Sequence, residues 1–220
     1  MLKLKLVDVG REGMDHITND EVEKYLYDLL PASPVVLREL ETLAESKHIP
    51  IVGPMVGRLL HILASASRAK RVLEIGTAIG YSAIWFGLAV KKNKGKVITI
   101  EIDKDIANEA RKNIKRAGLA KTVDVINGDG LKVVSKIKGK FDIIFIDDSK
   151  ENYPKYIDPC IKLLDKNGLL IADNALWRGE VTRENKSEDA KAIARFNELL
   201  MKRMRSVIIP ARDGVAIGVK

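Results

Sequence analysis

From residue 71 onward the sequence alternates short apolar runs with longer segments of helical period, and this alternation constrains the fold more than any other feature. Alternation of this kind is typical of an open parallel sheet covered by helices. Five of the runs predict parallel strands, at residues 71–75, 96–101, 122–126, 141–146 and 168–172. The predicted fold class is therefore α/β.

Two further apolar runs, at residues 206–210 and 215–219, lie at the end of the chain. Only residues 211–214 join them, and a connection this short cannot cross over between parallel strands. The last strand must therefore run antiparallel to the one before it. The sequence predicts a seven-stranded, mostly parallel sheet with an antiparallel C-terminal hairpin.

Three segments before the sheet carry apolar residues at helical spacing, at 20–30, 34–47 and 54–65. They predict a helical cap, because a chain of 220 residues has no room for a second full-size domain. We expect residues 1–220 to form a single domain. Within this domain, residues 1–66 supply an N-terminal arm and the cap, and residues 67–220 form the core. The role of the arm, at residues 1–13, stays open.

Composition limits the classes of protein that this chain can belong to. No apolar run reaches the roughly 20 residues of a membrane-spanning helix, and the first residues lack the apolar stretch of a signal peptide. A cytoplasmic protein with no membrane partner is predicted. The single cysteine, Cys160, lies in an apolar helical pattern that predicts a buried thiol. The net charge of +8 leaves RNA open as a partner, although the lysines alternate with acidic residues as on a solvated face.

The first strand runs into a turn punctuated by Gly76 and Gly80, at the strand end where ligands of open parallel sheets bind. Glycine there permits a positive φ and the close approach of a ligand to the backbone. The spacing is GxxxG, neither the GxGxxG of dinucleotide folds nor the GK[ST] of a phosphate-binding loop. The turn therefore disfavours a pyrophosphate ligand.

Two more strand ends carry acidic residues. Glu101 ends the second strand, where a carboxylate can accept hydrogen bonds from both hydroxyls of a ribose. Asp129 and Gly130 follow the third strand and suit either contact with an adenine ring or plain turn chemistry. Together with the glycine turn, Glu101 favours a nucleoside-containing ligand.

The fourth and fifth strands end in a group of oxygen ligands. Asp147 follows the fourth strand, and Asp173 and Asn174 follow the fifth. Neighbouring strands lie about 5 Å apart, so these side chains are expected on one rim. Such hard oxygen ligands suit Mg²⁺ or Ca²⁺, whereas zinc prefers Cys and His.

Three segments carry a resemblance to a known family: VLEIGTAIGYS at residues 72–82, IDDSKENY at 146–153 and DNALWRGEV at 173–181. They closely resemble the cation-dependent class I O-methyltransferases, which include catechol and caffeoyl-CoA O-methyltransferases and many bacterial relatives. The resemblance extends over roughly residues 20–220, in the same order and spacing. It implies a Rossmann-like class I methyltransferase fold, S-adenosylmethionine (SAM) as cofactor and a homodimer.

The resemblance also implies a role for particular residues. It makes Lys150 the general base and Asp147, Asp173 and Asn174 the ligands of a divalent cation, with Mg²⁺ first and Ca²⁺ or Mn²⁺ as alternatives. The residues implied in cofactor binding are Val52 and Gly53 as a cover, Glu74 and Gly76 at the methionine end, Glu101 at the ribose, and Ser82, Asp129, Gly130 and Asp147.

Methyl transfer from a sulfonium requires an oxyanion placed in line with the methyl group. A divalent ion can stabilise that oxyanion and orient a second oxygen on the adjacent carbon. The resulting hypothesis is an O-methyltransferase acting on a catechol-like small molecule. The alternative is a tRNA 5-hydroxyuridine methyltransferase, because residues 208–217 also match the IIP-x-x-DG-x-AI run of a bacterial branch. A non-catalytic or NAD-binding module is a more distant alternative.

Overall fold

The computed structural model describes residues 20–220, and the predicted arm at residues 1–13 lies outside that range. Three helices open the described chain, α1 (Asp20–Leu29), α2 (Val35–Lys47) and α3 (Gly53–Ala66). These helices agree with the predicted cap to within one residue at each boundary. No helix in residues 20–220 has both the length and the apolar character needed to cross a membrane.

Seven strands form one sheet. Their bounds are β1 (Arg71–Ile75), β2 (Lys96–Glu101), β3 (Val123–Asn127), β4 (Phe141–Ile146), β5 (Leu164–Ala172), β6 (Arg205–Ile209) and β7 (Val215–Val219). The strand order is β3-β2-β1-β4-β5-β7-β6, with β1 to β5 parallel and β7 antiparallel to both β5 and β6. The predicted topology, including the hairpin, is confirmed.

One strand is longer than the sequence predicts. β5 begins at Leu164, four residues before the predicted start at residue 168, and its pairing with β4 shifts register between Phe141 and Ile143. The extra residues include Asp165 and Asn167, which are types depleted in strands. Their composition therefore concealed the start of β5.

Five helices connect or follow the strands. They are α4 (Tyr81–Lys91), α5 (Lys104–Arg116), α6 (Gly130–Val134), α7 (Tyr153–Leu163) and α8 (Glu188–Arg203). Successive strand residues point to opposite faces, so Val72 belongs to the core on the side of the cap and Leu73 to the core beneath α7 and α8. Burial on both faces explains why the central strands are continuous apolar runs.

Helix α4 joins the cap to the sheet. It is buried along most of its length and packs against α3. At its centre Trp85 lies edge to face against His61 of α3, whose ring nitrogen Nδ1 also lies 3.2 Å from the Trp85 carbonyl oxygen. Because α4 starts at the glycine turn, this packing holds the cap next to the strand ends.

Candidate active site

The carboxyl ends of β1, β4 and β5 form one rim. The backbone N–H of Asp147 donates to the Ile75 carbonyl at 2.8 Å, and that of Asp173 donates to the Ile146 carbonyl at 3.1 Å. These bonds extend the parallel ladder by one residue beyond each strand. The ladder thereby sets Asp147 and Asp173 side by side, as the sequence predicts.

Asp173 is 5% exposed, and burial raises the pKa of its carboxyl to about 7. Repulsion from Asp147 adds to this increase, whereas the positive charge of Arg212 opposes it. A buried carboxylate next to a second carboxylate is costly unless a cation joins them. The electrostatics of the rim therefore favour a bound cation.

Asn174 completes the oxygen set. Its backbone is left-handed, with φ at 56°, and its amide Nδ2 donates to Asp213 Oδ2 at 3.3 Å. That hydrogen bond turns the amide oxygen away from Asp213. The other Asp213 oxygen accepts from the backbone N–H of Arg178. Asp213 was not predicted as a site residue, and burial raises its pKa.

Lys150 begins a 3₁₀ turn, Lys150–Asn152, directly beyond the rim. Its Nζ donates to Asp147 Oδ1 at 3.1 Å, to the Asp148 carbonyl at 3.1 Å and to the Tyr153 hydroxyl at 2.9 Å. The Lys150 side chain is 11% exposed, and Nζ lies 5.7 Å from the ring centroid of Trp177. Lys150 is therefore a fixed group of the site rather than a solvated surface lysine.

The donor set at the rim fits a hard divalent cation. In the part of the chain that the structure describes, no group of three or more His, Cys, Asp or Glu side chains is arranged to hold a metal. A cation held by Asp147 and Asp173 would therefore need a ligand of another type, and the Asn174 amide lines the same cavity. An all-oxygen set of this kind suits Mg²⁺, Ca²⁺ or Mn²⁺ and not zinc.

Gly76 packs against the rim from the end of β1. Its φ is +95°, and a Cβ added there would lie 1.8 Å from the Asp147 carbonyl oxygen. Any side chain at this position would push the glycine turn away from the end of β4. Gly76 thus has a structural reason to be glycine in addition to its predicted cofactor role.

Glu74 is fully buried on β1 beneath the glycine turn. Its Oε2 accepts from the Thr99 hydroxyl at 2.5 Å, and Thr99 in turn lies 2.5 Å from the hydroxyl of Thr77 in the turn. Burial raises the Glu74 pKa to about 8. Glu74 Oε1 has no hydrogen-bond partner in the described chain, which leaves a buried acceptor beside the turn.

Glu101 supports the glycine turn from β2. Its Oε2 accepts from the Ala78 backbone N–H at 2.8 Å, and its Oε1 accepts from the Asp103 N–H at 3.0 Å. Each oxygen keeps a lone pair for a further donor, so this geometry is compatible with the predicted ribose contact.

Asp129 and Gly130 have local structural roles. Asp129 is the N-cap of α6 and accepts from the Lys132 N–H at 2.9 Å. A Cβ on Gly130 would lie 2.3 Å from the Tyr156 hydroxyl. The turn chemistry considered for this pair is therefore present, whereas the adenine contact stays a prediction.

A cavity of about 600 Å³ lies between the strand ends and the cap. Of the predicted site residues, it is lined by Val52, Gly76, Ser82, Asp147, Lys150, Asp173 and Asn174. Glu74, Glu101, Asp129, Gly130 and Gly53 lie outside the lining. The sequence did not single out Arg212, in the turn between β6 and β7, which also lines the cavity. The volume of this cavity is in the range of small-molecule sites.

Residues 31–220 match the family model described as O-methyltransferase. The chain belongs to the O-methyltransferase family. Two relatives are named catechol O-methyltransferase. The one from Niastella koreensis is 38% identical over 188 residues, which are 82% of this chain and 85% of the relative. The one from Mycobacterium tuberculosis is 35% identical over 193 residues, which are 86% of each chain.

A solved structure of an O-methyltransferase shows the same fold. The enzyme from Bacillus cereus, in complex with SAH, matches with a TM-score of 0.80 at 31% identity, over 91% of this chain and 97% of that one. The predicted family and the Rossmann-like class I methyltransferase fold are thus confirmed. The individual roles of the site residues stay predictions.

Proposed function

We propose that this O-methyltransferase moves the methyl group of SAM to a hydroxyl oxygen of a small acceptor, with the help of one divalent cation. The acceptor carries a second oxygen on the adjacent carbon. The observation that carries the proposal is the convergence of Asp147, Asp173, Asn174 and Lys150 on one rim of the cavity. The catechol O-methyltransferases among its relatives and the SAH in the Bacillus cereus structure support it.

SAM is proposed to lie along the glycine turn. Its methionine end would lie at Gly76, Ser82 and Asp147, with Glu74 buried behind the turn. A cationic donor there would favour the ionised form of the Glu74 carboxyl, whose Oε1 has no hydrogen-bond partner in the described chain. SAM supplies a methyl group on a positively charged sulfur, and its loss leaves SAH. The proposed contacts at the other end are Glu101 with the ribose, Asp129 and Gly130 with the adenine, and Val52 and Gly53 as a cover.

Asp147, Asp173 and Asn174 are proposed to hold the cation, with Mg²⁺ preferred over Ca²⁺ or Mn²⁺. A divalent cation held there would supply positive charge that stabilises an oxygen anion of the acceptor. A bound cation would also offset the repulsion from Asp147, which adds to the effect of burial in raising the Asp173 pKa.

Lys150 Nζ is proposed to take the proton of the acceptor hydroxyl while in its neutral form. In its charged form Nζ donates to Asp147, Asp148 and the buried Tyr153 hydroxyl. The neutral amine keeps two protons for these partners and would turn its lone pair toward the acceptor hydroxyl. Burial keeps the Tyr153 pKa well above its usual value, so that hydroxyl stays protonated. The products are a methyl ether, SAH and a proton on Lys150.

We propose a small aromatic molecule, rather than a nucleic acid, as the acceptor. Trp177 lines the cavity and offers a flat apolar surface, whereas Tyr153 packs inward against Phe196. The two relatives described above are named catechol O-methyltransferase, which supports a small acceptor. A cytoplasmic location and a homodimer stay predictions.

Transfer of labelled methyl from SAM to a panel of catechols and to total tRNA tests the proposal. Each reaction is run with Mg²⁺ or EDTA, with the wild type, Asp147→Ala and the control Asp165→Ala, which alters an exposed carboxylate near the start of β5, at the opposite end of that strand from Asp173. We expect catechol labelling that requires Mg²⁺ and is lost only in Asp147→Ala. Labelling that survives both EDTA and Asp147→Ala would overturn the cation site.

A further inference from the structure

Arg212 connects two parts of the molecule that are far apart in sequence. It lies in the turn between β6 and β7, with a left-handed backbone at φ 51°. Its side chain is half-buried, and Nη1 donates to the Ile51 carbonyl oxygen at 2.8 Å. Ile51 belongs to residues 50–53, which lead from α2 into α3 and which we call the cover segment. The hairpin thus holds the cap through a charged hydrogen bond.

Arg212 also packs closely against Gly53 of the cover segment. The φ of Gly53 is +69°, and a Cβ added there would lie 2.7 Å from Arg212 Nη1 and 3.3 Å from Cζ. The guanidinium therefore lies where a side chain at position 53 would be. Two separate observations, a hydrogen bond to Ile51 and close packing on Gly53, define one contact between Arg212 and the cover segment.

The cover segment faces the cavity opposite the glycine turn. Pro50, Ile51 and Val52 line the cavity from the cap, and Gly76 and Ser82 line it from the strand ends. The distance across the cavity at this point depends on where the cover segment lies. Arg212 therefore sets the position of one of its walls.

The hairpin turn is itself attached to the cation rim. The backbone N–H of Ala175 donates to the Gly214 carbonyl at 2.9 Å, and that of Leu176 donates to the Asp213 carbonyl at 2.9 Å. Asp213 also accepts from the Asn174 amide. Arg212 thus extends from a turn that is fixed to the rim, so it can transmit the position of the rim to the cap.

We propose that Arg212 is a positioning residue that holds the cover segment against the cofactor-binding half of the cavity. The inference rests on the proposed function, because the cover is meant for SAM. Arg212 acts through the backbone of Ile51 and Gly53 and is not a catalytic residue. Its loss weakens binding of the cofactor because the cover segment is then free to move away from the strand ends.

The test is a double-mutant cycle on Arg212→Ala and Gly53→Ala, read by calorimetric binding of SAH in EDTA, so that the cation site does not enter. Gly53→Ala perturbs the contact without changing any charge near Asp173. We expect each single variant to weaken SAH binding about tenfold. The double variant should bind clearly less than a hundredfold more weakly than the wild type, because the added methyl no longer meets a guanidinium, although the backbone strain at the +69° φ of Gly53 remains.

Gly118→Ala is the matched control, since Gly118 has φ +68° and no atom within 4 Å of an added Cβ. It should lower the melting temperature through backbone strain and leave SAH affinity unchanged. Independent effects in the cycle, which would multiply to about a hundredfold loss, overturn the inference. So does coupling that appears in the melting temperature and not in SAH affinity.

The two proposals fail in different ways. If the wild type binds no SAH, the proposed function falls and the inference falls with it. If the wild type and Arg212→Ala bind SAH equally, the inference alone is wrong.

Discussion

The cavity has two walls, and they hold their polar groups differently. In the strand-end wall, backbone ladder bonds place the side chains: the Asp147 N–H pairs with Ile75, and the Asp173 N–H pairs with Ile146. In the cap wall, single side chains make the connections, as when Arg212 donates to the Ile51 carbonyl. A ladder cannot lose one bond without distorting its neighbours, whereas a single side-chain contact can be lost alone.

Because of this difference, we expect the two walls to have different roles. Chemistry that requires fixed distances belongs on the strand-end wall, because rigid elements hold catalytic groups best. Adjustment to the cofactor and acceptor belongs on the cap wall, where loops can move without disrupting the sheet. Substitutions in the strand-end wall should therefore cost more activity and stability than substitutions in the cap wall.

The largest effect is expected from Asp173→Asn, which removes one charge from the strand-end wall without changing its shape. Methyl transfer should fall more than about a hundredfold, since even outer partners of metal ligands cost up to that much. Asp165→Asn, at an exposed carboxylate, should have no effect on the rate. A rate for Asp173→Asn within tenfold of the wild type would remove Asp173 from the cation site.

In metal-free buffer, the difference in stability between the wild type and Asp173→Asn should depend on pH. Because burial raises the Asp173 pKa from 3.8 to about 7, the folded wild type holds a proton that the unfolded chain releases. Wild-type stability relative to Asp173→Asn should therefore fall as the pH rises from about 4 to about 7. Chemical denaturation at several pH values measures this difference. A difference that is independent of pH would contradict the burial of this charge.

The next largest effect is expected from Lys150→Met, which keeps an unbranched side chain as far as the ε position and removes the amine. The rate of methyl transfer should fall roughly 10²-fold to 10⁴-fold, the usual range for a lost general base. Lys155→Met is the matched control, because Lys155 is exposed and its Nζ donates to Asn152 Oδ1 at 3.1 Å. Equal losses in the two variants would count against Lys150 as the base.

Gly76→Ala tests the packing of the strand-end wall through stability. The added Cβ would collide with the Asp147 carbonyl, and we expect a loss of about 3 kcal/mol or more in the free energy of unfolding. Gly139→Ala has nearly the same φ, +94° against +95°, but its close neighbour is the flexible Arg71 side chain. It should cost only about 1 kcal/mol. Similar losses in the two variants would attribute the effect to backbone strain alone.

The two walls also differ in how far the sequence predicts them. Asp147, Asp173 and Asn174 follow apolar runs, so the strand order alone places them on one rim. The contact between Arg212 and Ile51 carries no such signal, because a polar residue in a short hairpin turn is ordinary turn chemistry. The partners lie far apart in the chain, and the acceptor is a backbone carbonyl that any residue could supply.

Local chemistry also conceals the roles of residues at the ends of β2 and β3, outside the cavity lining. The sequence predicts either a ligand contact or a turn role for Asp129, and in the structure Asp129 is the N-cap of α6. The oxygens of Glu101 accept from the Ala78 and Asp103 backbones, which sequence cannot reveal because backbone donors are present at nearly every residue. The residue types at strand ends were therefore predictable, whereas their hydrogen-bond partners were not.

The smallest effect is expected from Tyr81→Phe, which removes a second side-chain contact between the walls. The Tyr81 hydroxyl, at the start of α4, donates to Glu41 Oε1 of α2 at 2.6 Å. Glu41 is only half-buried, so water can replace the hydroxyl, and the loss should be about 1 kcal/mol in the free energy of unfolding. Methyl transfer should stay within about twofold of the wild type, because α3 and α4 remain packed. Glu41→Gln, which keeps an acceptor, should cost less still.

A loss of unfolding free energy in Tyr81→Phe as large as that in Gly76→Ala would contradict the contrast between the walls. It would mean that the cap wall is held as rigidly as the strand-end wall.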